Sequence, residues 1–395
     1  MFDELKKLLK KNHIIFEINS SYKCFRLKNQ YLKIVHYYSN KENKRSLESL
    51  LINKGFVKDW CLQFNHKKPH IFYLGTDEFQ DKSGFLQALN KMADISIFYK
   101  EDGSYGQYSI NQNPIESNKK RLFELFYELS KSSNLPDILL MQTWEWRIGV
   151  ENLLELKKKY NKLKIINICM DDRHAFYHNG ISKKGTFGLI PALDFVLNST
   201  KEAVDWYMKE GVPALYFPEA SSLDFYHPMN VKKKYDVGFV GAKYGIRAKI
   251  VRALIQDGVN VMAYGSGWDN GRLPIHETNR FFNECRIILG IGTIGHCEDF
   301  FALKLRDFDA PMSGSCYVTH NNSDLHELFD ANKENVLCNN EKDFVRKIKY
   351  LLSHPKKLNS IAESGFNKAS SVHTYEQRFV ELYNVLHIPY ENNNN

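Results

Sequence analysis

From residue 70 onward, short apolar runs typical of β-strands alternate with amphipathic runs typical of α-helices. This alternation predicts parallel sheets whose strands are joined by crossover helices. A first series of strands is predicted at His70–Asp77, Asp94–Lys100, Pro136–Trp144, Leu163–Asp171, Leu193–Thr200 and Pro213–Ala220. A second series is predicted at Tyr235–Gly241, Val259–Gly265, Arg286–Gly292, Ser315–His320 and Asn335–Cys338. The pattern therefore predicts an α/β protein with two Rossmann-like domains.

A polar stretch with a proline and a lysine run, at residues 221–234, separates the two series and is typical of a linker. The alternation is absent from the first part of the chain. Three short runs there predict a small antiparallel element, at residues 14–20, 22–27 and 32–39. We therefore expect three parts: a small α+β extension over 1–68, an N-terminal Rossmann-like domain over 69–228, and a C-terminal one with closing helices over 229–390.

The composition is that of an ordinary globular protein. The chain has 395 residues, of which 43% are hydrophobic and 25% are charged, so it can build two hydrophobic cores without disulfides or a structural metal. Its seven cysteines are scattered, odd in number and form no CxxC motif. This usage predicts reduced thiols in a cytosolic compartment.

No segment has the sequence features of a signal peptide or a membrane span. The first residues form a charged, helix-like stretch, and no apolar run approaches the ~20 residues that a span needs. We therefore expect a cytoplasmic protein. Peripheral contact with the inner face of the membrane stays open, because it requires no span.

The formal net charge of +8 favours anionic partners such as phosphates, acidic lipid headgroups or nucleic acid. The lysine clusters are dispersed among acidic residues, however, and each one alone is best interpreted as a solvated face. There is no helix-turn-helix, zinc finger or RNP signature. Nucleic acid is therefore not an expected partner.

Glycines and basic residues mark the ends of the first two strands of the second series. Gly241, Lys243 and Arg247 lie where a strand turns into a helix, which leaves backbone N–H groups at the carboxyl edge of the sheet. Gly265 ends the next strand and faces the same edge, where a glycine lets a ligand approach the backbone. These residues favour a phosphate site, and plain tight turns are the alternative.

Arg306 and Asp309 are three residues apart on a predicted helix and share one face. An arginine can clamp a diphosphate, and a carboxylate can hold a ribose diol. The alternative interpretation is an ion pair on the helix surface, which would contribute little to stability.

Asp171, Asp172 and His174 follow the fourth predicted strand, at the edge where open α/β sheets bind ligands. Neighbouring acids can shift each other's pKa, so one of them could act as a general base, and the histidine could take a proton near neutral pH. A helix N-cap followed by a solvated loop is the alternative. Residues 296–299 include histidine, cysteine and acids, but one such cluster does not make a metal site.

These stretches resemble the CgeB-like glycosyltransferases, relatives of the group 1 glycosyltransferases of GT-B fold. The matching stretches are Tyr235–Arg247, Val261–Trp268, Leu305–His320, Asp324–Phe329 and His373–Arg378, with Cys169–His174 and Tyr216–Ala220 in the first half. The resemblance implies two facing Rossmann-like domains, with the nucleotide-sugar donor bound mainly by the second domain.

The resemblance also implies a role for Asp309, which falls where related enzymes place the acid that holds the donor ribose. Those enzymes usually carry an E-x7-E pair, whereas Phe301 stands at the position of the first acid in this chain. The second acid, which would contact the sugar, is therefore unassigned.

The implied function is metal-independent, hexosyltransferase-like transfer of a sugar from a nucleotide diphosphate sugar, such as a UDP-sugar, to a saccharide, glycolipid or protein acceptor in polysaccharide biosynthesis. No cofactor is implied beyond the donor itself. Two alternatives stay open: a nucleotide-sugar epimerase of the same architecture, and a non-catalytic nucleotide- or sugar-binding protein, which the departure at Phe301 favours.

Overall fold

The computed structural model describes residues 13–42, 45–64 and 68–390, with side chains described from residue 20 onward. The chain forms two compact units. The N-terminal unit combines Ile34–Ser222 with the described residues from His373 on, and the C-terminal unit combines the described residues up to Lys33 with Leu223–Val372. Each unit contains one parallel β-sheet.

The sheet of the N-terminal unit has six strands in the order β2-β1-β3-β4-β5-β6. Its strands are β1 His70–Leu74, β2 Asp94–Ile97, β3 Ile138–Met141, β4 Lys164–Cys169, β5 Phe195–Asn198 and β6 Ala214–Tyr216. All neighbouring strands pair in parallel. Every residue of β1, β3 and β5 is buried, as expected for strands that are covered on both faces.

The sheet of the C-terminal unit has five strands in the order β11-β10-β9-β7-β8. Its strands are β7 Tyr235–Val240, β8 Val261–Tyr264, β9 Cys285–Leu289, β10 Cys316–His320 and β11 Val336–Cys338. Alternate residues face opposite sides: Ile287 of β9 belongs to one hydrophobic cluster and Ile288 to another. Because both faces are covered, the carboxyl edge is the open side of the sheet.

The helices of the two units connect and cover the strands. In the N-terminal unit the α-helices are Leu47–Asn53, Lys58–Leu62, Glu78–Gln80, Leu86–Met92, Pro114–Lys131, Glu145–Ile148, Val150–Lys159, Asp172–Ala175, Lys201–Lys209 and Tyr375–Val385. A π-helix spans Asp81–Phe85, and 3-10 helices span Ile110–Gln112, Ser182–Lys184 and Thr186–Ala192. In the C-terminal unit the α-helices are Arg247–Gln256, Thr278–Glu284, Arg306–Met312, Glu341–Ser353 and Pro355–Val372, and 3-10 helices span Ile275–Glu277 and Ser323–Glu327.

Helix α1, His13–Asn40, replaces the antiparallel strands that the sequence predicted before residue 40, so that prediction was wrong. Its inward side chains recur at helical spacing: Leu27 and Tyr31 pack against a buried cluster of the C-terminal unit, and Ile34 and Tyr38 are buried. The opposite face of the helix also carries large apolar residues. The helical period was therefore hidden, and the apolar runs looked like strands.

Cys24 in α1 forms a disulfide with Cys297, which contradicts the prediction that all thiols are reduced. The two cysteines are 273 residues apart in sequence, so their proximity cannot be recognised from spacing. The other cysteines are free and, apart from Cys61, buried.

The division of the chain differs from the expected boundary between 228 and 229. The units change between Ser222 and Leu223, and the chain rejoins the N-terminal unit at His373. Helix Tyr375–Val385 therefore belongs to the N-terminal unit, where Tyr375 packs against the ring of Phe85. The prediction that all closing helices belong to the C-terminal domain is therefore wrong for this helix. None of the described helices is long and apolar enough to span a membrane.

Candidate functional site

Gly241 lies directly after β7, and its missing side chain leaves room for two arginines. A Cβ atom at Gly241 would lie 3.0 Å from Nη1 of Arg306 and 3.5 Å from Nη1 of Arg247. A larger residue would push one or both guanidinium groups away. The glycine that the sequence singled out is therefore needed for a close approach of positive charge to the backbone.

Both guanidinium groups are held by backbone carbonyl oxygens at the end of the sheet. Nη1 of Arg306 donates to the Val240 oxygen over 2.6 Å. Arg247 donates from Nη1 to the Ala242 oxygen over 3.0 Å and from Nη2 to the Ile291 oxygen over 3.4 Å. Both arginines also have buried N–H groups that donate no hydrogen bond to a described residue, namely Nε of each and Nη2 of Arg306. Such donors suit an anionic oxygen ligand.

Arg247 is almost completely buried. Its guanidinium carbon lies 3.9 Å from the centre of the Tyr244 ring, which supports the cation from one face. Burial, followed by repulsion from Arg306, lowers the pKa of Arg247 to about 10, so the group is still positive at neutral pH. A desolvated charge beside a like charge is unfavourable, and a bound anion would relieve it.

Gly265 and Trp268 close the same turn from the end of β8. A Cβ atom at Gly265 would lie 2.3 Å from the oxygen of Gly241, so no larger residue fits without a backbone shift. Nε1 of Trp268 donates to the Gly241 oxygen over 2.8 Å. Nζ of Lys243 lies 5.0 Å from the centre of the Trp268 ring. The structure thus brings together the predicted residues Gly241, Lys243, Gly265, Arg247 and Arg306 at one edge of the sheet.

Two carboxylates lie on helix Arg306–Met312. Asp307 is buried and accepts hydrogen bonds from the Tyr317 hydroxyl over 2.5 Å and from the Lys304 backbone N–H over 2.7 Å. Burial raises the pKa of Asp307 to about 6, against the effect of these hydrogen bonds. Asp307 therefore fixes the start of the helix that carries Arg306. Asp309 is also buried, and its role as the ribose acid stays a prediction.

His320, which the sequence analysis did not select, ends β10 beside this site. It is 1% exposed, and no described residue makes a hydrogen bond to either ring nitrogen. The rings of Phe301 and Phe344 lie 5.2 and 4.9 Å from it, centre to centre. Burial, followed by the charge of Arg247, lowers the pKa of His320 to about 4, so the ring is neutral. Its position at the end of a predicted strand was the feature of the sequence that could have identified His320 as a candidate.

The predicted acids of the N-terminal unit have different environments. Asp172 is fully buried and accepts hydrogen bonds from Oγ1 of Thr186 over 2.6 Å, Nδ2 of Asn198 over 2.5 Å and the Tyr207 hydroxyl over 2.9 Å. Burial raises the pKa of Asp172, and these donors oppose the shift. With three protein donors on its carboxylate, Asp172 anchors the loop rather than facing a ligand, contrary to its prediction as a candidate general base.

Asp171 and His174 are the members of this loop that solvent can reach. Their side chains are 39% and 31% exposed, and Oδ1 of Asp171 lies 4.0 Å from Nε2 of His174. The structure therefore separates the three predicted residues into one buried anchor and two accessible groups. At this distance the carboxylate attracts the histidine when the ring is protonated, but the two atoms are too far apart for a hydrogen bond.

An aromatic cluster that the sequence analysis missed follows β3 at the same edge. The half-buried rings of Trp144 and Trp146 are nearly parallel, 14° apart, with centres 6.3 Å apart. The guanidinium carbon of Arg147 lies 5.2 and 4.9 Å from the two rings, and the His178 ring lies 5.5 Å from Trp146. The closely spaced tryptophans directly after a predicted strand were the available signal.

A buried carboxylate after β1 was also missed. Asp81 belongs to the π-helix and accepts a hydrogen bond from the Tyr105 hydroxyl over 2.7 Å. A Cβ atom at Gly75 would lie 2.3 Å from Oδ2 of Asp81, so the glycine makes room for this carboxylate. Burial raises the pKa of Asp81 to about 6. Asp81 lines a narrow pocket together with Gln142 and Tyr375.

Comparison with known proteins found a family match for the C-terminal part of the chain and solved structures with a similar fold. Residues 247–384 match the model of a family described as glycosyl transferase-like, a range that includes Arg306, Asp309 and His320. No curated protein sequence matches the chain.

Among solved structures, sucrose-phosphate synthase from Thermosynechococcus elongatus is similar with a TM-score of 0.59 and 9% identity, over 80% of this chain and 98% of that chain. HepE from Anabaena, in complex with UDP-glucose, is similar with a TM-score of 0.57 and 10% identity, over 80% of this chain and 99% of that chain. TarM is similar with a TM-score of 0.51 and 13% identity, over 73% of this chain and 65% of that chain. At these identities the likeness shows the fold, which is the Rossmann-like GT-B architecture.

Proposed function

We propose that the chain is a glycosyltransferase that moves a sugar from a nucleotide diphosphate sugar to a saccharide, glycolipid or protein acceptor. The observation that carries this proposal is the convergence of Arg247 and Arg306 on Gly241, with buried N–H groups that no described residue accepts. The glycosyl transferase-like match over 247–384 and the GT-B fold support it.

The chemistry of the proposed step requires positive charge beside the leaving group. Transfer breaks the bond between the anomeric carbon and the phosphate oxygen, and a nucleoside diphosphate departs with an added negative charge. Arg247, Arg306 and Lys243 would stabilise that charge, and the burial of Arg247 makes its interaction with phosphate stronger than in water. Each such contact typically lowers a barrier by about 2 to 4 kcal/mol. With this charge fixed in the protein, we propose metal-independent transfer.

The nucleoside of the donor would bind next to the diphosphate, at the helix that carries Arg306. We assign the ribose hydroxyls to Asp309, three residues after Arg306 on the same helix. HepE was crystallised with UDP-glucose and with UDP, which makes UDP-sugars the first donors to test. The order of Leu305–His320 and the other matching stretches supports the finer assignment to CgeB-like, hexosyltransferase-like enzymes.

The acceptor would bind at the carboxyl edge of the sheet in the N-terminal unit. Asp171 and His174 are accessible there and could take the proton of an acceptor hydroxyl. The half-buried rings of Trp144 and Trp146 offer flat apolar faces of the kind that saccharide C–H groups pack against. Asp172 would hold the loop in place through its three donors.

The test is product analysis with UDP-glucose and UDP-N-acetylglucosamine, each with and without a panel of oligosaccharide acceptors. We expect release of UDP that increases with acceptor and a product one sugar longer. Arg306→Gln is expected to lower turnover by about 100-fold or more while the protein stays folded. Conversion of the sugar without release of UDP would instead identify an epimerase. Tight UDP binding without any turnover would identify a non-catalytic binding protein.

A further inference from the structure

Helix α1 presents a second apolar face that no described residue covers. Tyr22, Phe25 and Leu32 are 61%, 66% and 60% exposed. Of the large apolar side chains that the structure describes, only Ile110 is more exposed. The three lie at positions i, i+3 and i+10 of the helix, which places them on one side over about 15 Å of its length.

The opposite side of α1 is fixed to the C-terminal unit. Leu27 and Tyr31 pack against a buried cluster of that unit, and Cys24 is bonded to Cys297. Nζ of Lys28 forms an ion pair with Asp299. The helix is therefore held with its inward face covered, and the stripe of Tyr22, Phe25 and Leu32 necessarily points away from the unit.

This part of α1 is basic. Between Ser20 and Lys33 the chain carries four basic residues and no acidic one, and one of the four, Lys28, pairs with Asp299. Arg26 and Lys33 are exposed and, at the helical spacing, border the apolar stripe. The sequence before α1 adds four lysines, at positions 6, 7, 10 and 11, and two acids, at positions 3 and 4. Aromatic and aliphatic side chains bordered by lysine and arginine are the pattern of a helix that lies in the headgroup region of an anionic membrane.

We propose that the exposed face of α1 docks the protein on an anionic lipid surface. In the docked state Tyr22, Phe25 and Leu32 enter the boundary between headgroups and acyl chains, while Lys33 contacts lipid phosphates. A second protein would need acidic groups opposite the lysines and a groove for the stripe, whereas an anionic bilayer supplies both the charge and the apolar depth. This inference does not depend on the proposed transfer reaction.

The test is co-sedimentation of the full chain with vesicles of phosphatidylcholine alone and vesicles that also contain phosphatidylglycerol. We expect binding to the mixed vesicles only, and a decrease with added salt. The triple variant Tyr22→Ser, Phe25→Ser, Leu32→Ser should bind at least about tenfold more weakly, because its apolar area is lost. The variant Lys33→Gln should lose about fivefold in affinity for the mixed vesicles.

Matched controls separate this face from general surface stickiness. Ile255→Ser and Tyr350→Ser remove apolar side chains that are 54% and 52% exposed on other helices of the same unit, and should leave vesicle binding unchanged. Phe25→Trp should show a blue shift of its fluorescence with mixed vesicles only. Absence of binding to mixed vesicles, equal binding to both vesicle types, or full binding by the triple variant would overturn the proposal. So would a wild-type dimer that the triple variant disperses, since a second copy would then cover this face.

Discussion

Replacing Arg247 by methionine separates the role of the buried charge in binding from its role in folding. The pKa of Arg247 is lowered from 12.5 to about 10, chiefly by burial. This difference corresponds to about 3 kcal/mol of lost preference for the charged form in the folded protein. Arg247→Met removes that cost, since the charge is present throughout the pH range below about 10.

The same substitution also removes favourable contacts. The oxygens of Ala242 and Ile291 lose their donor, which costs about 1 to 3 kcal/mol for each buried carbonyl. The two losses together come to about 2 to 6 kcal/mol against a gain of about 3 kcal/mol, so the free energy of unfolding without ligand should change by no more than about 3 kcal/mol. Affinity for a nucleoside diphosphate should fall by about 2 to 5 kcal/mol, because a buried charge-assisted contact is lost.

The assay pairs urea unfolding without ligand with calorimetric titration of UDP for wild type and Arg247→Met. Arg252→Met, on the exposed side of the same helix, is the matched control and should change neither quantity. A large loss of unfolding free energy with unchanged UDP affinity would show that Arg247 does not bind the diphosphate. Arg247 would then be a structural arginine whose carbonyl contacts hold the turn.

Three further predictions concern buried groups elsewhere. Asp172→Asn should lower the free energy of unfolding by about 2 kcal/mol or more, because an amide cannot accept from three donors as a carboxylate does. The control Asp171→Asn should change it by less than about 0.5 kcal/mol. Equal effects of the two substitutions in urea unfolding would contradict the anchor role of Asp172. Reduction of the disulfide between Cys24 and Cys297, or Cys24→Ser, should destabilise the C-terminal unit by about 2 to 4 kcal/mol. An unchanged melting curve in the presence of dithiothreitol would show that the disulfide does not contribute to stability. Burial lowers the pKa of His320 to about 4, so between its unfolded pKa and pH 4 the unfolded chain takes up a proton that the folded chain does not. The free energy of unfolding should therefore fall by up to about 3 kcal/mol as the pH is lowered through that range. His320→Phe should flatten this pH dependence, whereas the exposed control His276→Gln should not.

The two sheets could be predicted because parallel strands covered on both faces are nearly continuous apolar runs. From residue 70 onward, each predicted strand overlaps an observed one, including the short β6 and β11. Gly241, Arg247 and Arg306 could be selected because the carboxyl ends of such strands meet at one edge. Local pattern was sufficient for these features, since each depends on a strand and the turn that follows it.

The features that were missed depend on contacts between residues far apart in sequence. The role of Asp172 is decided by Thr186, Asn198 and Tyr207, which no local pattern connects to it. Helix α1 was mistaken for strands because apolar residues occupy two of its faces, and only one face is covered. The spacing of apolar residues reveals a helix only when they occupy one face, so it does not reveal a helix that carries apolar residues on two faces.

Arg247 and Arg306 together form the proposed nucleoside diphosphate site. The direct test is thermal unfolding with UDP, UDP-glucose and uridine, all at one concentration that is about 100 times the dissociation constant of UDP for the wild type. UDP should then add about 2.7 kcal/mol of stability and UDP-glucose a comparable amount, and Arg306→Gln should abolish the gain at the same concentration. Uridine should add nothing comparable, because it lacks the diphosphate. Equal stabilisation by uridine and UDP, or no stabilisation by either UDP or UDP-glucose, would contradict the account.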